Sequence, residues 1–380
     1  MSTERLPQQE SKRAALRRRY QMDLPFFLLT VILVVVGVIM MFSASYARAY
    51  QEEGNSTYYF ARQAIFAVAG IAIMLFISRL NYQIWRSLSL PILLAAVVFL
   101  VLVLIIGLAA GGATRWLPLG PFSFQPSEVA KLAVVLVFAT LISSFKEKMQ
   151  TFKYGVAPFA GILLVFALLL LLQPHLSATV IICAVGAAMM FQGGTKLRWF
   201  GILGALAVVA FIILVSGGYA SQRIEAWLHP ELDPSGASYQ TVQSLYAIGS
   251  GGLFGLGFGK SRQKYLYLPE EHNDYVFPIV CEELGFVGAM LIILLFVLLI
   301  VRGYWIAMHA KDRFGALLAG GLTTLLALQV FFNIGVVTNF LPPTGISLPF
   351  FSYGGTALIM QLAQMGIVLA VSRSGDESLL

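Results

Sequence analysis

Leu268-Pro-Glu-Glu-His-Asn-Asp-Tyr-Val-Phe277 is the junction at which a long polar insert ends and an almost wholly apolar run begins. Asp274 stands at that boundary, where a carboxylate can cap a helix and still touch water. Glu282 and Glu283 follow about two turns into the apolar run. Upstream, Ala247–Lys264 reads AIGSGGLFGLGFGKSRQK, glycine-rich and then basic. Acid is scarce in this chain, yet eight of its 18 Asp and Glu lie between Glu225 and Glu283. Chemistry is therefore sought around this junction.

The chain is 58% hydrophobic and 11% charged, with a mean hydropathy of +0.82. A water-soluble fold of this size cannot bury that much apolar surface, so lipid must solvate most of it. The net charge of +7 sits in short clusters between apolar runs. That pattern orients a membrane protein and argues against nucleic-acid binding. Cys183 and Cys281 are isolated in apolar segments and read as small core residues, not as a disulfide or metal pair.

A spanning helix needs about 20 apolar residues. About ten such runs occur, at roughly 24–46, 58–78, 87–108, 128–144, 155–173, 177–192, 199–216, 275–301, 314–338 and 354–372. The expected fold is an all-α polytopic membrane protein with a large extracytoplasmic loop, 217–273, between helices 7 and 8. It has a basic cytoplasmic tail at 1–23, a transmembrane domain over 24–372 and a cytoplasmic tail at 373–380. The first run is long enough to span, so no cleavable signal peptide is expected. Ten spans place 17 of the 25 Lys and Arg on the side of the amino terminus. Both termini are then cytoplasmic, and the acid cluster faces outward.

The insert carries Trp227, Tyr239, Tyr246, Leu266 and Tyr267 as apolar anchors, which predicts short amphipathic helices at the outer interface. Phe258-Gly-Lys-Ser261 fails as a phosphate-binding P-loop, because Phe254 stands where the motif needs glycine. Its glycines still permit close backbone approach, and Lys260, Arg262 and Lys264 add positive charge. The alternative is a flexible loop with snorkelling cations. Glu128 and Lys131, three apart after Gln125-Pro-Ser127, share a helical face and can pair. They are either a structural pair or one wall of a polar cavity, which Arg115 could join. Asp274 is either a helix N-cap or a catalytic carboxylate. Glu282 and Glu283 lie deep enough to predict a buried polar network for at least one of them. His272 reads as a loop residue, since no second His or Cys is spaced to complete a zinc site. Asn339–Gly355 holds three prolines and paired glycines, an irregular backbone tolerated at membrane depth only inside protein or beside a cavity.

GATRWLPLG (112–120), FQPSE (124–128), RIEAWLHPELDPSGASYQ (223–240), YLPEEHNDYVFPIVCEELGFVG (267–288) and PPTGISLPFFSYGG (342–355) resemble the SEDS family of bacterial cell-wall proteins. The resemblance covers nearly the whole chain, and spellings such as Arg223-Ile-Glu-Ala-Trp and Asn273-Asp look closer to its division and sporulation branch (FtsW, SpoVE) than to RodA. It implies a peptidoglycan glycosyltransferase that polymerises lipid II on the outer face of the bacterial cytoplasmic membrane. The family's catalytic aspartate falls at Asp274, and its acid–base pair at Glu128 and Lys131. The resemblance further implies a growing glycan on a polyprenyl diphosphate and a class B penicillin-binding protein as partner. A divalent cation, Mg²⁺ or Mn²⁺, is associated with such activity, and no organic cofactor is expected. Where the family commonly has Pro-Asp-Leu, this chain has Pro174-His175-Leu176.

Read from the residues, an outward site has no access to nucleotide sugars, so its donor arrives on a membrane carrier. A sugar diphosphate has an acidic leaving group that needs no protonation. One general base can then suffice, unlike the two carboxylates of glycoside hydrolysis. Asp274 is the expected base. Arg115, Lys131 and the Lys260–Lys264 segment are expected to neutralise the diphosphate, with Glu128 and Glu283 completing the substrate-binding set. Two rivals remain at this point, a lipid flippase and a noncatalytic scaffold for a transpeptidase.

Overall fold

The computed structural model describes residues 22–374 apart from 111–112, 120–121, 206–224, 226, 231–235 and 237. Asp23 starts the first helix, α1 (Leu24–Glu53), by accepting the Phe26 amide at 2.9 Å, with Pro25 in the first turn. Gly54, at φ 67°, ends it. Next come α2 (Tyr58–Ile77) and α3 (Ile84–Ile106). An antiparallel sheet follows, of β1 (Leu108–Ala110), β2 (Ala113–Leu119) and β3 (Phe122–Phe124), paired in that order. It is a small addition to the helical fold expected.

The chain continues through α4 (Pro126–Phe145), α5 (Ala157–Leu172, preceded by one turn at Phe152–Gly155), α6 (Leu176–Gln192) and helical residues 197–205. After the insert's α7 (Tyr239–Ser250) come α8 (Val276–Met308), α9 (Arg313–Val337) and α10 (Gly355–Ser372). Eight described helices are long and apolar enough to cross a membrane, and α6 is a shorter ninth. The remaining expected span, 199–216, opens within helical residues 197–205, and 206–216 lies outside the described residues. The tails 1–21 and 375–380, and much of 217–237, lie outside them too.

α4 and α9 are mostly buried and form the centre, whereas α2, α3, α5 and α8 turn apolar side chains outward. Val68 and Ile105 are each 71% exposed, which only lipid would solvate at no cost. Polar contacts gather at two ends. At one, Arg302 pairs with Asp23 (2.7 Å), Tyr82 donates to Asp312 (2.6 Å), and Arg373 donates to the Ser78 carbonyl (3.2 Å). At the other, Arg48 pairs with Glu271 (2.8 Å) and the Trp227 indole donates to the Asn339 carbonyl (3.1 Å).

The last loop, 339–354, leaves that second end and dips into the bundle. Its Phe350 carbonyl packs so closely on α1 that a Cβ at Gly37 would lie 2.4 Å from it. The Phe351 ring meets Phe296 of α8 at 5.8 Å. Such backbone needs partners in the absence of water. Gln63 supplies two of its bonds, donating to the Ser352 carbonyl (3.0 Å) and accepting from the Gly354 amide (3.3 Å).

Candidate active site

Asp274 lies two residues before Val276, the first residue of α8. The helix takes Tyr275 at its N-cap without any side-chain capping bond, so of the two roles open to Asp274 capping is not realised. Its Oδ1 instead accepts the Ser347 hydroxyl (3.2 Å) from the re-entrant loop. The Asn333 amide donates to both the Asp274 carbonyl (2.8 Å) and the Ile346 carbonyl (2.6 Å), clamping the start of α8 to that loop. Gly345 sits at φ 69°, and a Cβ there would lie 3.1 Å from Asp274 Oδ2, so only glycine leaves both backbone and carboxylate undisturbed. Burial, and then the charge of Glu270, push the Asp274 carboxyl up to about 6, against partial relief from Ser347 and Arg115. A carboxylate poised there exchanges protons readily near neutral pH.

Arg115 lies on β2 and donates to the Pro174 carbonyl. Its charge is felt at Asp274 and also at His175, a buried side chain in the α5–α6 turn. Burial, then Arg115 and Lys131, push His175 down to about 3, so it is neutral and adds no charge at pH 7. Lys131 pairs with Glu128 at 2.7 Å inside α4, and both are buried. Glu128 shares a small cavity with Gln329, Ser347, Ser352, Tyr353 and Gln361. Gln329 Oε1 and Gln361 Nε2 are buried there without hydrogen bonds, so the cavity offers free polar atoms to solvent or substrate. Ser347 belongs to this cavity and also touches Asp274. Ser347 thus links Asp274 to the cavity lined by Glu128, which holds Lys131, and Arg115 reaches Asp274 through its charge.

The other candidates form a different group. Lys260 and Arg262 are exposed. Lys264 is buried and donates to Glu283 Oε1 (2.9 Å) and Ser43 Oγ (3.0 Å). Glu283 also accepts from Ser43 (2.7 Å) and from the Ser261 amide (3.2 Å). Glu282 accepts the Ser261 hydroxyl and the Arg262 amide (3.0 Å), so both acids enter the buried network expected of at least one of them.

The glycines bring this about. Leu256 and Gly257 amides donate to the Glu282 and Glu283 carbonyls (2.9 and 3.0 Å), and Phe286 donates to the Gly252 carbonyl (2.8 Å). A Cβ on Gly255 would lie 2.1 Å from the Glu283 carbonyl oxygen. Gly285, at φ 69°, breaks α8 where this segment docks. Close backbone approach is realised here, toward α8 itself. The reading as a flexible loop fails for the same reason.

Several partners were not legible beforehand. Arg48 grips Glu271 through two nitrogens, both at 2.8 Å, beside the candidate base. His272 is buried, stacks on Tyr59 (5.0 Å) and is pushed down to about 4 by burial and then Arg48. Among the described residues no three His, Cys, Asp or Glu side chains converge as a metal cage.

The fold and the site define an integral membrane protein with a carboxylate, Asp274, near one end of a helical bundle and within the field of Arg115. The chain belongs to the cell cycle protein family of FtsW, RodA and SpoVE, which it matches over residues 23–377. It is 41% identical over 354 residues to stage V sporulation protein E of Bacillus subtilis, covering 92% of this chain and 97% of that one. It is 39% identical over 360 residues to the "Probable peptidoglycan glycosyltransferase FtsW" of Trichlorobacter lovleyi (93% and 94%). Among solved structures, a chain from a peptidoglycan synthase complex that coordinates polymerization and crosslinking superposes with a TM-score of 0.76 at 29% identity (93% and 98%). The rod shape determining protein RodA of Thermus thermophilus does so at 0.70 and 28% (94% and 98%).

Proposed function

We infer that this chain is a peptidoglycan glycosyltransferase that joins lipid-linked disaccharides into glycan strands at the outer membrane surface, with Asp274 as the general base. The observation that carries the assignment of Asp274 is its state. It is a helix-boundary carboxylate with no capping duty, raised to about 6, held by Ser347 and within the field of Arg115. The basic clusters at the opposite end support a cytoplasmic placement for that end, with both termini on that side.

Asp274 takes the proton from the acceptor's sugar hydroxyl as its oxygen bonds to the donor's anomeric carbon. The bond from that carbon to the diphosphate breaks, and the polyprenyl diphosphate leaves with the electron pair. Arg115 and Lys131 oppose its charge from the walls, Glu128 keeping Lys131 in place. The nearby acids suit a divalent cation that arrives with the diphosphate and is held through one or two carboxylates. Glu270, exposed beside Asp274, would hold it and it would neutralise the leaving group, while Asp274 stays free to take the proton. Lys260 and Arg262, being exposed, can meet headgroups or a partner, whereas Lys264 and Glu283 serve the site by fixing the loop before Asp274. A crosslinking class B penicillin-binding protein is the partner that the synthase-complex likeness supports.

Gel analysis of glycan products from the purified chain and lipid II, alone and with a candidate transpeptidase, tests the reading. Polymer in at least one of these mixtures is the expected result. Its absence from both, with folded protein, contradicts it.

A further inference from the structure

At the end of the bundle opposite Asp274, the α2–α3 turn, the α8–α9 turn and the end of α10 enclose an open pocket of about 490 Å³. The 20-residue α2 separates it from the Tyr59–His272 contact by about 30 Å, so it is no part of the candidate active site. Arg79, Lys311 and Arg373 line it, with Asp312 as the acid on its wall.

That acid is already occupied. Asp312 accepts from Tyr82 (2.6 Å), Gln83 (3.0 Å) and the Gly315 amide (3.2 Å), capping α9 as it does so. Arg373 is turned to the Ser78 carbonyl (3.2 Å). Arg79 and Lys311 are exposed and enter no ion pair among the described residues. Arg79 and Lys311 against one satisfied carboxylate leave a positive field directed into the open volume.

The flanks are apolar. Phe76, one turn before Arg79, is 65% exposed, so lipid reaches the rim of the pocket. A basic cavity between helix ends, open both to water and to lipid, matches an anion that carries acyl chains. We propose that this pocket binds the phosphate of an acidic phospholipid headgroup, such as phosphatidylglycerol or cardiolipin, with Arg79 and Lys311 as its principal contacts. A lipid seated there would tie together α2, α8 and α10, whose far ends hold the loops around Asp274. Free phosphate shares the headgroup's chemistry but gains nothing from the apolar rim.

Native mass spectrometry of the full-length protein in detergent tests this. Phosphatidylglycerol and cardiolipin should be retained in preference to phosphatidylcholine. Retention should fall roughly 30-fold in Arg79→Gln/Lys311→Gln, at about 1 kcal/mol for each cation lost. Lys196→Gln/Arg198→Gln, which removes two exposed charges outside the pocket, serves as the control and should retain lipid like the parent. Equal loss in both variants would reduce the effect to diffuse surface charge and overturn the proposal. So would equal retention of phosphatidylcholine. Binding of inorganic phosphate at the pocket without retention of either acidic lipid would assign the site to the free anion and also overturn it.

Discussion

Replacing Lys264 with methionine removes the cation from a network that is almost completely dry. Lys264 and Glu283 are 2% and 1% exposed, and their charges meet at 2.9 Å. Breaking a buried pair by deleting one partner typically costs about 3–5 kcal/mol, because the other charge stays buried. Here Ser43 and the Ser261 amide continue to donate to Glu283, which places the expected loss near the lower end, about 3 kcal/mol. Lys264→Met/Glu283→Gln removes both charges and should recover most of that loss, a coupling of about 2 kcal/mol for contacting residues. Thermal unfolding in detergent, read on the parent, both single variants and the double, measures the cycle. Lipid II polymerisation measured on the same four proteins should follow stability. A single variant as stable as the parent refutes the reasoning. A double variant that regains stability but stays inactive would return Lys264 or Glu283 to the substrate.

Further expectations rest on Asp274, Arg115 and Gly255. Because burial raises Asp274 from 3.8 to about 6, its contribution to stability is complete below pH 3.8 and is lost as pH rises through about 6, up to about 3 kcal/mol. Asp274→Asn should therefore melt at or above the parent at pH 7.5, with the difference shrinking toward pH 4. Polymerisation by the parent should rise with pH through about 6 as the base ionises. Arg115→Gln should cost about 10²-fold in rate and move that rise to higher pH, since Arg115 favours the ionised carboxylate; a rate profile at the parental midpoint contradicts this. Gly255→Val would force side-chain atoms against the Glu283 carbonyl, where even a Cβ has only 2.1 Å. It should lower the unfolding temperature at least as much as Lys264→Met.

The spans were legible because length of apolar run is the dominant signal in lipid, and α2, α9 and α10 fall within a residue or two of their sequence boundaries. The misses lie where charge continues a helix. α8 runs past Val301 to Met308 because Arg302 pairs with Asp23 and lies 4.0 Å over the Trp305 ring, so its charge need not end the helix. α1 likewise runs to Glu53, with Arg48 and Glu52 paired one turn apart at 3.3 Å. The Glu128–Lys131 pair was readable from its three-residue spacing. Arg48 with Glu271, or Ser43 with Glu283, are more than 200 positions apart, and no local period encodes them. The glycine segment announced close approach without naming its target, and the target was α8. Asp274 was found from the concentration of acid around it in a chain otherwise poor in acid, but its release from capping required the path of the chain through Tyr275.

The central claim is that one carboxylate at the edge of α8 moves the proton. Purified Asp274→Asn, supplied with lipid II and the same partner as the parent, should fold, insert and lose about 10²–10⁴-fold in glycan polymerisation. Polymer formed at the parental rate by that variant would contradict the account.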